Sequence, residues 1–138
     1  MPLVMDGQLP KSIIGLVSYM SEDTATTITA VAYSNLGECW YDFGEWFKRF
    51  ADVEVRLVVV AHAPGAGNSI HFRLYNNTDG VAIAGSVIDQ ANARYDRLVS
   101  APFTGLVTGT KEYQPQGYVD GGTGYVKGIW LEIKAFKG

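Results

Sequence analysis

The sequence predicts an all-β protein, an antiparallel β-sandwich of about eight strands with at most one short helix around residues 42–50. Sixteen glycines, eight tyrosines and a charged fraction of 18% suit turns and half-buried sheets better than long solvated helices, which are rich in Lys and Glu. Turn signals separate short apolar runs along the chain, without alternation of strands and helices. A double sheet of jelly-roll type is therefore the first expectation, and an immunoglobulin-like sandwich is the alternative.

Length, charge and cysteine content limit what the chain can do. At 138 residues it can bury roughly two thirds of its unfolded surface, enough for one domain. The net charge of −3 argues against nucleic-acid binding, which needs clustered Lys and Arg. No apolar run approaches the roughly 20 residues of a membrane-spanning helix, and no secretory signal is expected at the N-terminus. Cys39 is the single cysteine, so no internal disulfide is expected.

The first eleven residues carry two prolines and no strand pattern. They are predicted to form an N-terminal arm, followed by a single sandwich domain over residues 12–138. Leu3, Val4 and Met5 make this arm more apolar than a disordered tail. The arm is therefore expected to pack on a neighbouring molecule. The first two strands of the domain are predicted at Ser12–Tyr19 and Ala25–Tyr33.

Three strands are predicted in the centre of the chain. Val53–His62 is almost solid in β-branched and aliphatic residues, which suits a central strand with apolar neighbours on both faces. The glycines and proline of Ala63–Ser69 are predicted to turn the chain back into Ile70–Tyr75, which alternates between apolar and polar residues. Asn76–Gly80 is predicted to form a second hairpin turn, which leads into a strand at Val81–Ile88.

Three further strands are predicted in the last third of the chain, at Arg94–Ser100, Lys111–Val119 and Tyr125–Phe136. Proline lacks an N–H for the ladder, so Pro102 and Pro115 are expected at sheet edges or bends.

The segment from Cys39 to Phe50 is the one candidate for a helix. Its aromatic residues recur at the spacing of one helical face, and they are Phe43, Trp46, Phe47 and Phe50. Asp42 is a candidate N-cap. The aromatic side chains are expected to plug one end of the core, and the alternative is that they form an exposed platform.

No catalytic, metal or cofactor site stands out, and the protein is predicted not to be an enzyme. A hairpin at residues 63–70 would set His62 and His71 opposite each other, but a zinc site needs at least three protein ligands and no third one is nearby. Nucleophile elbows and phosphate-binding loops are absent from the sequence. Carboxylates that could in principle form a glycosidase pair are Asp42, Glu45, Glu112, Asp120 and Glu132.

Two predicted strands carry apolar residues on both faces. Val58 and Val60 lie opposite the core-facing residues of the central strand. In the last strand Trp130 and Phe136 lie opposite a face formed by Ile129, Leu131, Ile133 and Ala135. The second face must therefore be covered, either by this chain or by another copy. A homo-oligomer is expected, with Leu3, Val4, Met5, Trp130 and Phe136 at its interface.

Four segments resemble the jelly-roll sandwiches of phage and virus particle proteins, in strand pattern and turn placement. They are Val55–Val60, Phe72–Gly80, Val81–Ser86 and Gly128–Ala135. The resemblance implies a capsid decoration, spike or fibre-head protein, commonly trimeric, that binds other capsid or tail proteins or a host surface. It also implies location in the virion after synthesis in the host cytoplasm. The leading hypothesis is therefore a non-enzymatic virion structural protein.

The alternative hypothesis is a carbohydrate-binding module. Aromatic faces suit stacking on sugar rings, and a flat platform could be formed by two or three of Trp40, Tyr41, Trp46 and Trp130. A small sandwich enzyme that uses the carboxylates named above ranks last.

Overall fold

The computed structural model describes residues 12–18, 26–49 and 52–136, with only the backbone path given for 12–18, 46–47, 49 and 135–136. The strands are β1 (Ser12–Ser18), β2 (Thr26–Ile28), β3 (Ser34–Asn35), β4 (Cys39–Tyr41), β5 (Asp52–His62), β6 (Ile70–Asn76), β7 (Val81–Ala82), β8 (Ile88–Gln90), β9 (Asp96–Val99), β10 (Lys111–Val119) and β11 (Gly124–Phe136), and the helix is α1 (Gly44–Arg49). Within these residues no helix is long and apolar enough to cross a membrane.

Two antiparallel sheets face each other. The first sheet has the order β1-β11-β5-β9, and β2 also pairs with β11. The second has the order β3-β10-β6-β7, with β4 also on β10 and β8 also on β6. The chain passes repeatedly from one sheet to the other, as in a jelly roll. The predicted fold class is therefore confirmed, and the described residues contain the one short helix that was expected.

Period-2 alternation places the core between the two sheets. In β6, Ile70, Phe72 and Leu74 are fully buried while the residues between them are partly exposed. The facing strands of the first sheet contribute the other half of the core. Their fully or nearly fully buried residues are Val55, Leu57, Val59, Ala61, Val126, Ile129, Leu131 and Ile133. This is the face assigned to β11 from the sequence.

Helix α1 closes one end of the sandwich. The Asp42 side chain caps it, as predicted, because its Oδ1 accepts a hydrogen bond from the Gly44 N–H at 2.9 Å. The same oxygen accepts a second one from the Gly109 N–H at 3.0 Å. Phe43 is fully buried and packs edge-on against Tyr41 and Tyr113. The Trp46 and Phe47 side chains and Phe50 lie outside the described part of the chain.

The turn between β5 and β6 does not form the predicted hairpin. The two strands belong to different sheets, and residues 63–69 carry the chain across the sandwich. Positive φ angles at Gly65, Ala66 and Gly67 make the sharp reversal. The hairpin prediction was wrong because glycine and proline mark a change of direction without specifying the strand that the chain joins next.

The second predicted hairpin is confirmed, since β6 pairs with β7 through Tyr75 opposite Ala82. The strand predicted at Val81–Ile88, however, is divided into β7 and β8. Gly85, at φ +89°, lies between them, and a Cβ at this position would lie 2.5 Å from the carbonyl oxygen of Pro102. The break allows this segment to approach the loop after β9 closely.

Pro115 lies within β10, which is paired on both sides, so the edge position predicted for it was wrong. On one side β10 is paired by two short strands, with β4 opposite residues 111–113 and β3 opposite 116–117. Pro115 falls in the gap between them, where its carbonyl accepts a hydrogen bond from the Leu36 N–H at 2.9 Å. No ladder partner at this point requires the N–H that proline lacks. Pro102 lies beyond the end of β9 and so is not part of that ladder.

Candidate ligand-binding face

The outward side of the second sheet carries a dense group of aromatic and polar side chains. Alternation in β6 and β10 directs their side chains outward in three cross-strand pairs. These pairs are His71 with Tyr118, Arg73 with Gln116, and Tyr75 with Gln114. Tyr33 and Asp89 flank them, and Trp40 and Glu112 lie at one end. These ten residues are called the tyrosine face below.

His71 is held between two carboxylates. Its Nδ1 lies 2.6 Å from Asp89 Oδ1, and its Nε2 lies 2.9 Å from Asp120 Oδ1. The ring also stacks on Tyr118, with centroids 4.4 Å apart. A carboxylate at each nitrogen favours the imidazolium form, in which both nitrogens donate.

Electrostatics supports this charged state. Partial burial lowers the pKa of His71, but the hydrogen bonds to Asp89 and Asp120 outweigh it, and the net effect is a raised pKa. The pKa of Asp120 is lowered, first by the hydrogen bond from the Ser69 N–H and then by the one from His71. His71 therefore links β6 to β8 and to the turn after β10 through charge-assisted hydrogen bonds.

Arg73 lies at the centre of the tyrosine face. Its guanidinium carbon is 4.0 Å from the centre of the Tyr33 ring and 5.1 Å from that of Tyr75, within the range of cation–π attraction. Its Nε donates a hydrogen bond to Gln116 Oε1 at 2.9 Å. Tyr33 packs edge-on against Tyr118. Burial and the neighbouring Tyr118 hydroxyl raise the pKa of Tyr33, which keeps this phenol neutral at physiological pH.

Hydrogen bonds join the amide side chains along β10. Gln116 Nε2 donates to Gln114 Oε1 at 3.3 Å, and Gln114 Nε2 donates to Glu112 Oε1 at 3.5 Å. The same Glu112 oxygen accepts from Asn77 Nδ2 at 2.6 Å. These hydrogen bonds restrain the rotamers of the polar groups involved.

Trp40 forms the margin of the tyrosine face. It lies opposite Glu112 in the β4–β10 register and is 64% exposed. Glu38 lies beside Glu112, and the hydrogen bond and repulsion between the two carboxyl groups raise the pKa of Glu38. From Glu112 to Tyr118 the face extends about 20 Å along the strand.

The aromatic platform predicted at Trp40, Tyr41 and Trp46 is not formed by its first two members. Consecutive residues of a strand point to opposite sides, so Trp40 is exposed while Tyr41 packs on the core next to Phe43. The Trp46 side chain lies outside the described part of the chain.

The tyrosines that do share a face were missed from the sequence. The alternation around Phe72 and Leu74 places Arg73 and Tyr75 together, and it is visible in the sequence. Their proximity to Tyr33 and Tyr118 depends on the pairing of β10 with β6, between residues about forty positions apart.

The two histidines are not partners. His71 belongs to the tyrosine face, whereas His62 points to the outer side of the first sheet and packs against Tyr95 and Tyr125. Among the described residues there is no group of three or more His, Cys, Asp or Glu side chains able to hold a metal ion.

The carboxylates considered for glycoside hydrolysis have separate structural partners. Asp42 caps α1, and Glu45 pairs with Lys48. Glu132 is on the first sheet and pairs with Arg97 at 3.2 Å and Lys134 at 3.3 Å. Glu112 belongs to the tyrosine face and Asp120 contacts His71 at its other end. Eight positions on one extended segment separate these two carboxylates by about 26 Å, which is too far for them to act as a pair.

The outer side of the first sheet carries the other predicted site, an apolar interface. Val58 is fully buried there, with Trp130 and Val99 as its direct neighbours in the adjacent strands. Trp130 is partly buried and Val99 is 41% exposed. Leu3, Val4 and Met5 and the Phe136 side chain lie outside the described part of the chain.

No family model and no curated protein matches this chain. Solved structures resemble it at low identity. A carbohydrate-binding module, CBM36 in complex with calcium and xylotriose, is 16% identical over 87% of this chain and 99% of that one, with a TM-score of 0.46. The infectious bursal disease virus VP2 subviral particle is 10% identical over 99% of this chain, with a TM-score of 0.49, and this chain spans 38% of that one. Bacillus endospore appendages, described as disulfide-linked pili, are 10% identical over the whole of both chains, with a TM-score of 0.38.

A virus-particle protein is thus among the structures that the chain resembles, as the sequence indicated. The resemblance is one of fold alone.

Proposed function

We propose that the protein is a non-catalytic binding module that holds a carbohydrate on its tyrosine face. The observation that carries the proposal is a cluster of three tyrosines, an arginine and two glutamines on the outer face of the second sheet. The exposed indole of Trp40 lies beside this cluster. Sugars present C–H faces that pack on aromatic rings and hydroxyls that bond to planar polar groups. The tyrosine face supplies both.

Pre-organisation strengthens the proposal. Immobilising a flexible side chain on binding costs roughly 0.5–1.5 kcal/mol. On the tyrosine face that cost is reduced in advance, because Gln116 is bonded to both Arg73 and Gln114, and Glu112 to both Gln114 and Asn77. A length of about 20 Å suits an oligosaccharide better than a single small molecule.

The test is affinity electrophoresis in gels that contain soluble polysaccharides of different composition. The wild type is expected to be retarded by at least one of them. Tyr75→Ala and Trp40→Ala should each weaken that retardation about tenfold, the effect of about 1.4 kcal/mol. Tyr95→Ala is the matched control, because Tyr95 is 37% exposed and packs against His62 on the other sheet. Retardation that survives both face variants, or that is lost equally in the control, contradicts the proposal.

A second candidate function is the particle-subunit role predicted from the sequence, in which copies of the chain associate and pack with other capsid or tail proteins in a virion. The outer side of the first sheet favours it, because the partly buried Trp130 and the 41% exposed Val99 leave apolar surface on a side that faces away from the core. Burial of this surface against another copy would contribute about 25 cal/mol for each Å² of apolar area. Val58, which lies between them, is already fully buried and adds nothing to this gain.

Light scattering on the purified protein tests this second function. A trimer or larger species is expected, and the double variant Trp130→Ser, Val99→Ser should dissociate it. Val87→Ser is the control, since Val87 is 55% exposed and follows the Gly85 break in the second sheet. A monomer at all concentrations refutes self-association.

A further inference from the structure

The charge distribution on the tyrosine face distinguishes Arg73 from its neighbours. Lys111, at the end of β10, pairs with Asp79 at 3.2 Å, and His71 is held between Asp89 and Asp120. Arg73 forms no ion pair with any residue that the structure describes. It is therefore a cation held in place by aromatic rings and an amide, without a carboxylate in direct contact among the described residues.

The hydrogen bonding of Arg73 leaves one side of the guanidinium available. Of its three nitrogens, Nε is used, donating to Gln116 Oε1 at 2.9 Å. Within the described residues, no acceptor is bonded to either terminal nitrogen. These two nitrogens form the planar fork that binds a carboxylate through two parallel N–H···O bonds. The guanidinium carbon lies 4.0 Å from the centre of the Tyr33 ring, and this contact together with the Gln116 hydrogen bond restrains the side chain, which reduces the entropy lost on binding.

We propose that Arg73 makes the tyrosine face selective for acidic glycans, with the carboxylate of a uronic acid bound end-on by its two terminal nitrogens. This inference rests on the proposed carbohydrate function and specifies its ligand class. A carboxylate at this position places the rest of a sugar between the Tyr75–Gln114 pair and the Tyr118–His71 pair, where hydroxyls meet amide and phenol groups. An acidic peptide would find no free strand edge there to extend, because β6 and β10 are paired on both sides.

Isothermal titration with matched ligands tests the inference. The probes are trisaccharides of galacturonate, glucuronate and mannuronate, each as the free acid and as the methyl ester, which removes the charge and keeps the ring. The wild type is expected to bind at least one acid tenfold or more tightly than its ester, and more weakly as salt is raised from 50 to 200 mM.

Variants assign the selectivity to Arg73. Arg73→Gln should bring the acid and its ester to equal affinity, and Arg73→Lys should keep part of the preference, because it retains the charge without the fork. Arg94→Gln, the control, removes a 72% exposed cation that pairs with Asp96 away from the face and should leave the preference unchanged. Thermal unfolding of each variant checks that the fold is intact.

The possible failures are distinguishable. Equal affinity of the wild type for acids and esters overturns the acidic selectivity while carbohydrate binding stands. Absence of binding to these probes and to every neutral polysaccharide overturns both proposals. If poly-glutamate of equal charge competes as well as the uronate, recognition is of a carboxylate on any polymer, and the assignment to glycans is wrong.

Discussion

Gly85 offers the sharpest test of how the two sheets are joined. It separates β7 from β8 and faces the loop that follows β9, where the Thr104 N–H donates to the Ala84 carbonyl at 3.0 Å and the Phe103 N–H donates to the Val55 carbonyl at 2.8 Å. This contact connects an outer strand of the second sheet to the centre of the first. Gly85→Ala inserts a methyl group into it.

The magnitude follows from two terms. A non-glycine residue at φ +89° costs about 1–2 kcal/mol in backbone conformation. The new Cβ would lie 2.5 Å from the Pro102 carbonyl oxygen, and displacing a hydrogen-bonded backbone to relieve such an overlap costs about 1–3 kcal/mol more. The expected loss in the free energy of unfolding is therefore about 2–5 kcal/mol, a large part of the 5–15 kcal/mol typical of a domain.

Gly67→Ala is the matched control. Gly67 has a similar φ of +83°, but no atom lies within 4 Å of the position of a Cβ there, so only the conformational cost of about 1–2 kcal/mol applies. The smaller entropy of the unfolded chain affects both variants equally. Urea unfolding followed by circular dichroism measures the difference, which should be about 1–3 kcal/mol. Equal unfolding free energies in the two variants would refute the close approach of Gly85 to the loop.

Three further changes test the core and the contacts of His71 with Asp89 and Asp120. Tyr113 has a fully buried hydroxyl without a hydrogen-bond partner among the described residues, and burial is the main reason that its pKa rises to about 12. Because Tyr113→Phe removes this unpaired polar group, it should leave thermal stability unchanged or raise the free energy of unfolding by about 1 kcal/mol. Leu57→Ala removes a fully buried side chain and should lower the free energy of unfolding, measured by chemical denaturation, by about 2–5 kcal/mol. The control Val87→Ala, at an exposed position, should change this free energy by less than about 0.5 kcal/mol. Because the pKa of His71 is raised on folding, its stabilising contribution is complete below about pH 6.5 and is lost as the pH rises through the folded-state value. Urea midpoints should therefore fall between pH 6 and pH 8 in the wild type and should lose this part of the slope in His71→Asn.

The local pattern of the sequence was sufficient to predict the core of this fold. Alternating apolar residues placed Ile129, Leu131 and Ile133 on one face of the last strand, and the same three residues are fully buried. The predicted cap of α1 by Asp42 and the hairpin at Asn76–Gly80 also depend on neighbouring residues alone, and both are present.

The partnership of strands could not be predicted in this way. Ala63–Ser69 has the composition of a hairpin turn, yet the strands on either side of it belong to different sheets. What decides between a hairpin and a crossing is the burial gained by β6 on β10, whose residues lie some forty positions further along the chain. Pro115 shows the same limit, because it is tolerated in a paired strand only where β4 ends and β3 begins.

The candidate binding face has the same dependence on long-range pairing. The platform predicted from the sequence was built mainly on tryptophans, the largest aromatic groups. Adjacent residues of a strand cannot share a face, however, and Trp40 and Tyr41 point to opposite sides. The face is formed instead by smaller aromatic residues from separate segments. Only the register of β10 on β6 and the path of the chain before β3 bring Tyr33, Tyr75 and Tyr118 around Arg73.

The two proposed functions use opposite sides of the sandwich, and this separation makes them compatible. The apolar row of Val58, Val99 and Trp130 lies on the outer side of the first sheet, whereas Arg73 and its tyrosines lie on the outer side of the second. A side chain on one outer side cannot reach a ligand on the other, because face-to-face sheets are about 10 Å apart. A molecule held in an assembly through its first sheet would therefore still present its second sheet to a glycan. Several copies presented together would bind a polymeric glycan more strongly than one copy, without any new contact on the face itself.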